Sequence, residues 1–430
     1  MNSLKKSQDL MSHKRKYLFE ATHYAEPILE RGNGTKVYDI DGNEYLDLNA
    51  GQCCVTFGHN YEPFNQMISE QLRKIYHTNT GTLTPEVLVA AEEMASINSN
   101  DLNKTIFLST GSEANECALR FAKAFSKKNG VISLDKGYHG LTLASQGSTM
   151  GGQWAMPIVP NTISVKTPDM FHFEKEKSTQ DEILNECIAD LGDKFRTYGD
   201  NTAAMIIEPI VGVGGMLPIP KTYIKKVREL CNEYNVVLIF DECQCGFGRC
   251  GNWFVYQNFG VIPDIITTAK AMGMGLAVSA VTFSDIIAKK IEFGLTHFSS
   301  HQNDPLSAAT VSFVINEIKE HDLIRSNVRK GEYLLYKIKE VCKQTDMLCN
   351  PRGVGLMCAF DLNDKLLNNY RDASAKFVLA MQENGVLLQA VRQGRTFRLM
   401  PNYYILESEI DKFADACLES IKVLNTSNKK

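Results

Sequence analysis

The sequence contains no run approaching the ~18 uninterrupted apolar residues that a membrane-spanning helix needs. Its N-terminus, MNSLKKSQDLMSHKRKYLFE, is basic but has no apolar stretch of the secretory kind. Neither secretion nor membrane insertion is expected. Also lacking is any block of one charge: 46 basic and 50 acidic side chains leave a net charge of −4. No basic stripe interleaved with aromatics stands out, which argues against nucleic acid or an anionic membrane as the main partner. A small solute is the expected partner. The 12 cysteines include no C-x-x-C pair and no histidine at finger spacing, so a structural zinc site is not expected. Reduced, buried thiols in a cytoplasmic protein are. With 430 residues, 44% of them hydrophobic, and no low-complexity tract, the chain can bury one large core and a smaller subdomain.

What is present is an alternation. "TIFLST" (105–110) reads as a strand, and after it Ala118, Phe121, Ala122 and Phe125 recur on one helical face. "GVISL", "AAMIIEPI", "VVLIFDE", "DIITTA" and "SAVTFS" follow as short β-rich runs separated by helical or loop segments. That is the pattern of a mainly parallel sheet covered on both faces, an α/β fold. "KVYDIDGNEYLDL" (36–48), with DG at its turn, predicts a hairpin. Residues 161–200 read as a polar, irregular excursion ending in a helix over "TQDEILNECIADLG". Helices interleaved with short strands fill the last ~125 residues, consistent with a smaller α+β domain. The expected division is an N-terminal segment, 1–50, packing with the small domain, a large domain over 51–304 and a small domain over 305–430. There is no internal repeat.

Three places carry chemistry. In "LIFDECQCGFGR" (238–249) an apolar run buried on both faces delivers Asp241 to the strand exit, where open parallel sheets keep their ligands. "STGSEAN" (109–115) opens a helix with a glycine and small residues, leaving backbone N–H groups free for an anion, although the same pattern serves plain capping. In "DIITTAKAMGMG" Lys270 follows an apolar strand. Burial there would lower its pKa and turn the amine into a nucleophile, whereas a lone lysine would ordinarily snorkel to solvent. An anion site, a carboxylate and a lysine at successive strand ends are together what pyridoxal phosphate requires.

"STGSEAN", "GYHG", "EPI…GG", "DECQCGFGRCG", "TTAKAMGMG", "SHQNDPLSAA", "PRGVGLM" and "TFRLMP" occur in the order found in class III aminotransferases, and the resemblance spans about residues 25 to 425. It implies the fold-type I architecture, a seven-stranded mainly parallel sheet plus a smaller α+β domain. It also implies a homodimer or dimer of dimers with sites at the subunit interface, and an amino acid and a 2-oxo acid as substrates. By resemblance Lys270 carries the cofactor and moves a proton at the substrate Cα, while Asp241 keeps the ring nitrogen protonated. Gly111 and Ser112 bind the phosphate with the partner subunit's Ser300. Tyr138 stacks on the ring, Gln244 bonds its phenolic oxygen, Glu208 orients nearby polar groups, and Arg398 grips the substrate carboxylate with a two-pronged bond.

Within the family, members that accept ω-amines usually carry a glutamate that pairs with the carboxylate-binding arginine. Here Val213 stands in that place, so Arg398 is expected to lack a gate and to favour α-amino acids. Gln52 falls where 2,2-dialkylglycine decarboxylases have a glutamine that bonds the leaving carboxylate, and Tyr138 is at the substrate's side too. "SSHQNDPL" resembles the segment with which those enzymes bind an alkali cation. Thr78, Thr80, Ser300, Gln302 and Asp304 would supply oxygens to potassium or sodium. The expectation is decarboxylation-dependent transamination, with ordinary transamination or racemisation as alternatives and a non-enzymatic binding protein outside them.

Overall fold

The computed structural model describes residues 10–427 apart from 12, 15, 22–26, 150–158, 174–177, 292–296, 364–366, 368–371 and 393. The basic N-terminal stretch therefore lies largely outside the described residues. A first sheet joins β1 (Leu29–Asn33), β2 (Lys36–Asp39) and β3 (Glu44–Asp47). β2 and β3 form the hairpin expected at the DG turn, where Asp39 accepts from the amides of Asp41 and Asn43.

The central sheet is built from β4 (Leu102–Leu108), β5 (Gly130–Leu134), β6 (Thr162–Val165), β7 (Thr202–Ile207), β10 (Val237–Asp241), β11 (Ile265–Thr268) and β12 (Ser279–Ser284). Between β7 and β10 lies a small ribbon of β8 (Ile210–Val211) and β9 (Leu217–Pro218). The order across the seven strands is β4-β12-β11-β10-β7-β5-β6, parallel from β11 to β6, with β12 antiparallel to both its neighbours. All five residues of β10 are buried, as a strand covered on both faces must be.

The helix Gly111–Ser126 lies on this sheet. Thr110 caps it by accepting from the Glu113 amide at 3.2 Å, and Glu113 reaches back to the Ser109 amide at 3.0 Å. Ala114, Ala118, Phe121 and Ala122 face the sheet and are buried, as the helical spacing predicts. Phe125, on the same stripe, is half-buried under the Lys290 ammonium.

The stretch 161–200 is more regular than expected. β6 is an edge strand with one neighbour, and its four residues give too short a pattern to read. The expected helix is there and longer, Gln180–Tyr198, opened by a Thr179–Glu182 capping box.

A smaller antiparallel sheet, β13 (Leu348–Val354), β14 (Met357–Leu362), β17 (Thr396–Leu399) and β16 (Gln389–Val391), follows in that spatial order. The short β15 (Val386–Leu387) crosses back to pair with β3, so the chain's beginning and end share a sheet. The smaller antiparallel sheet is held to loops of the large domain by a buried charge cluster. Arg352 on β13 forks onto Asp361 of β14 with both bonds at 2.9 Å, and its Nε donates to the Gly215 carbonyl at 2.7 Å. His172 bridges Asp361 at 2.7 Å and Asp169 at 2.8 Å. Arg352 and Asp361 are almost wholly buried, so removing one partner strands the other's charge. Asp361→Ala should lower the unfolding free energy by about 3–5 kcal/mol in denaturant titration, whereas an exposed pair such as Lys343–Glu340 should change it by less than about 1 kcal/mol when broken.

Candidate active site

Three parallel strands end at one place. β10 delivers Asp241 to its C-terminal end, and the carboxylate is 3% exposed. Oδ2 accepts from His139 Nδ1 at 2.8 Å and from Asn115 Nδ2 at 2.7 Å, while Oδ1 accepts the Cys243 amide at 3.0 Å. Asn115 is fixed in turn by the Thr267 hydroxyl of β11 at 2.6 Å. Burial alone would push the Asp241 carboxyl up, but the bond to and attraction of His139, with Cys243 and Lys270, outweigh it and hold the group below its ordinary value. A charged carboxylate is thus maintained in the protein interior.

Lys270 begins the turn after β11 and sits in the left-handed region with φ of 48°. A non-glycine residue held there is strained and persists only where its surroundings demand it. The expected fall in its pKa is not what the structure gives. Burial pushes it down, but the acidic groups around it more than offset that and the net direction is up; of these, Asp241 carries the charge, since the Cys243 thiol is itself held neutral. A buried lysine falls only when no opposite charge faces it, and here Asp241 does.

Gly111 and Ser112 open the helix Gly111–Ser126 beside these groups, and the position a Gly111 Cβ would take lies 3.2 Å from Cys243 Sγ. The first amides of that helix have no partner within it. Tyr138, partly exposed, has its amide held by Glu208 Oε1 at 2.7 Å, and Glu208 Oε2 accepts the Gly212 amide at 3.0 Å. Burial pushes Glu208 up to about 7. Gln244 is 7% exposed and packs against Gly212, where any side chain would strike its Oε1. That buried Oε1 has no partner among the described residues.

The donor set therefore suits pyridoxal phosphate. A helix N-terminus can take an anion, a buried charged carboxylate can face a ring N–H, a lysine amine lies within its electrostatic reach, and Gln244 keeps a buried oxygen without a partner among the described residues.

Other expected residues fall differently. Gln52 is exposed on a loop whose turn is set by Asp47, which accepts from the amides of Asn49 and Gly51 and from His59. Its side chain makes no hydrogen bond among the described residues, and only its carbonyl is used, by Cys54. The loop is tied to the Lys270 turn through the Thr56 hydroxyl on the Ala271 carbonyl at 2.8 Å. Arg398 is 1% exposed on β17 and does have a protein partner, contrary to expectation. Gln389, directly opposite on β16, accepts from its Nε at 2.9 Å and also from Nη2. Val213 is partly exposed in the loop that would hold a gating glutamate.

The alkali-cation set is not assembled. Asp304 stands just before the helix Pro305–Glu320 without bonding to its amides, and its two oxygens are taken by His77 at 2.7 Å and His301 at 2.5 Å. The Thr80 hydroxyl donates to the Ser299 carbonyl, Thr78 is partly exposed, Gln302 Oε1 is unpaired, and Ser300 is exposed. Imidazole donors on the carboxylate do not make the all-oxygen cage a hard cation needs.

His139, Asn115 and Gln389 are the residues sequence reasoning passed over. Asn115 carried a signal, being a polar residue next to the apolar stripe of a helix. His139 reads as a turn residue because its partner is 102 positions away. Gln389 becomes visible only through strand register. The "CQC" pair is inert here: Cys243 and Cys245 are buried with thiols raised well above the ordinary range, and none of the 12 cysteines is joined in a disulfide.

Comparison with known proteins adds the family. The family model "Aminotransferase class-III" matches residues 20–421. An acetylornithine aminotransferase of Archaeoglobus fulgidus is 32% identical over 411 residues, which cover 95% of this chain and 100% of the relative. A leucine/methionine racemase of Thermococcus litoralis is 32% identical over 403 residues, covering 91% and 90%. Among solved structures, a transaminase from the marine bacterium Virgibacillus superposes with a TM-score of 0.89 at 26% identity, covering 97% of this chain and 99% of that one.

Two buried carboxyls give the site a pH signature. Glu208 and Glu242 are both pushed up to about 7 by burial. Between the ordinary carboxyl value and about 7 the folded protein keeps protons that the unfolded chain has lost, so stability falls as pH rises through that window. The melting temperature of cofactor-free protein should drop between about pH 5 and pH 8, and Glu242→Gln should flatten the drop. A pH-independent melting temperature in the parent protein would contradict the assignment.

Proposed function

We propose that this chain, which belongs to the class III aminotransferases, is a pyridoxal-phosphate-dependent aminotransferase moving an amino group from an α-amino acid to a 2-oxo acid. Supporting it above all is the buried Asp241, kept charged by His139, Asn115 and the Cys243 amide, with Lys270 opposite. Bound there, pyridoxal phosphate supplies an electron sink for charge left at the substrate Cα. Asp241 keeps a proton on the ring nitrogen, and Lys270 takes and returns the proton at Cα. The amides of Gly111 and Ser112 hold the phosphate, joined by the partner subunit's Ser300 in a homodimer. Tyr138 would cover the ring and the Gln244 amide nitrogen would donate to its phenolic oxygen, while Glu208 fixes the backbone beside both through the Tyr138 and Gly212 amides. Arg398 binds the substrate carboxylate.

Ordinary transamination is preferred to the decarboxylating reaction expected from the sequence. The relatives named above are two transaminating enzymes and a racemase, and Gln52 is exposed with its side chain unanchored. The racemase supports a second reading, reprotonation of Cα from the other face. Among the described residues no helix is long and apolar enough to cross a membrane, which agrees with a cytoplasmic enzyme. Incubation with an L-amino acid and pyruvate in deuterated water separates these. Equal amounts of a new 2-oxo acid and of alanine, without CO₂, are expected, and Lys270→Ala should lower turnover by about 10²–10⁴-fold or more. Release of CO₂, or scrambled chirality without oxo-acid formation, would overturn the reading in favour of its rivals.

A further inference from the structure

The geometry points to Gln389 as the specificity gate of Arg398: a neutral acceptor that holds the guanidinium in place when no substrate is bound and yields it to a substrate carboxylate. This rests on the aminotransferase reading above. Arg398 is 1% exposed, and no carboxylate lies within ion-pair distance of it among the described residues. Its Nε and Nη2 both go to the single oxygen Gln389 Oε1, while Nη1 has no partner among the described residues.

A buried cation served only by a neutral amide is under-compensated, and an incoming carboxylate supplies the missing charge in full. An anionic partner on the protein would do the opposite. It would neutralise the guanidinium in advance and make every substrate carboxylate compete with it. Gln389 is placed for the neutral role by register, since β16 and β17 pair it directly with Arg398, and the two side chains project from the same face of the sheet. Asn49 spans the same rung: in the amide orientation that satisfies both groups, its oxygen accepts the Gln389 amide at 3.1 Å and its nitrogen donates to the Arg398 carbonyl at 3.3 Å. The gate therefore has a fixed backbone and a side chain whose oxygen is held by Arg398 alone among the described residues. It selects substrates bearing the same carboxylate in both half-reactions and disfavours amines that lack one.

The test uses cofactor-loaded enzyme with Gln389→Glu and Gln389→Met. Binding of propionate, which cannot react, is measured by calorimetry alongside KM and kcat for L-alanine and pyruvate. Gln389→Glu should weaken propionate and raise both KM values by about 10- to 100-fold with kcat changed far less, while Gln389→Met, which takes away the guanidinium's acceptor but adds no competing charge, should weaken propionate by a smaller amount, about 3- to 10-fold. Propionamide, carrying no charge, should not distinguish the three proteins. Unchanged propionate binding in Gln389→Glu, or equal losses in both variants, would overturn the gate and leave the aminotransferase reading untouched. If the parent protein binds propionate through Arg398 but transfers no amino group, the functional reading fails and the gate stands.

Discussion

A charged carboxylate kept in the core is the constraint on which the site depends. Asp241 would be expected to take up a proton at 3% exposure, and three converging donors, with the charge of Lys270 nearby, prevent it. Those donors come from three separate parts of the fold: His139 from the loop after β5, Asn115 from the helix Gly111–Ser126, and the Cys243 amide from the turn after β10. Thr267 on β11 orients the second of them. The same charge then fixes the behaviour of Lys270. With Asp241 opposite, the amine is held toward its protonated form in the absence of cofactor, which offsets part of the cost of enclosing it.

Around that pair the backbone is bent into unusual shapes. Lys270, Ala50 and Cys53 have positive φ values, and Thr56 ties the loop of the latter two to the Lys270 turn. Strain of this kind is sustained by the rigid sheet beneath, because the strands that end here are buried along their whole length. The smaller sheet is brought over the site by a separate set of charges. Arg352, Asp361, His172 and Asp169 form a continuous buried chain, and Arg352 also grasps Gly215 in the loop that packs on Gln244 and Glu208. The sheet carrying Arg398 and Gln389 is thereby anchored to the loop that supports the cofactor-side residues. A change in the clasp would be felt at both ends.

The strands were legible because their residues are buried on two faces and so appear as unbroken apolar runs, as "VVLIFDE" does. β6 was not, since an edge strand of four mixed residues gives neither a run nor a convincing alternation. Asp241, Lys270, Glu208 and the Gly111–Ser112 turn were legible by position, each at the end of a strand or the start of a helix. The partner of Arg398 was not. From the sequence alone, Val213 suggested an arginine without a gate, because the residue that meets it lies on a neighbouring strand and nothing local marks it. The cation set failed for a related reason. Asp304 is buried, but two histidines, one 227 positions away, take both of its oxygens.

Sequence by itself determined the α/β class, the order of the motifs and the identity of the two central charges, since burial periodicity and strand-end placement are local properties of a chain. Tertiary structure decided what those charges do. Whether Asp241 stays ionised, whether Lys270 moves up or down, and whether Arg398 is paired all depend on groups brought close by sheet order and strand register. Electrostatic energy falls with distance in space and takes no account of distance along the chain.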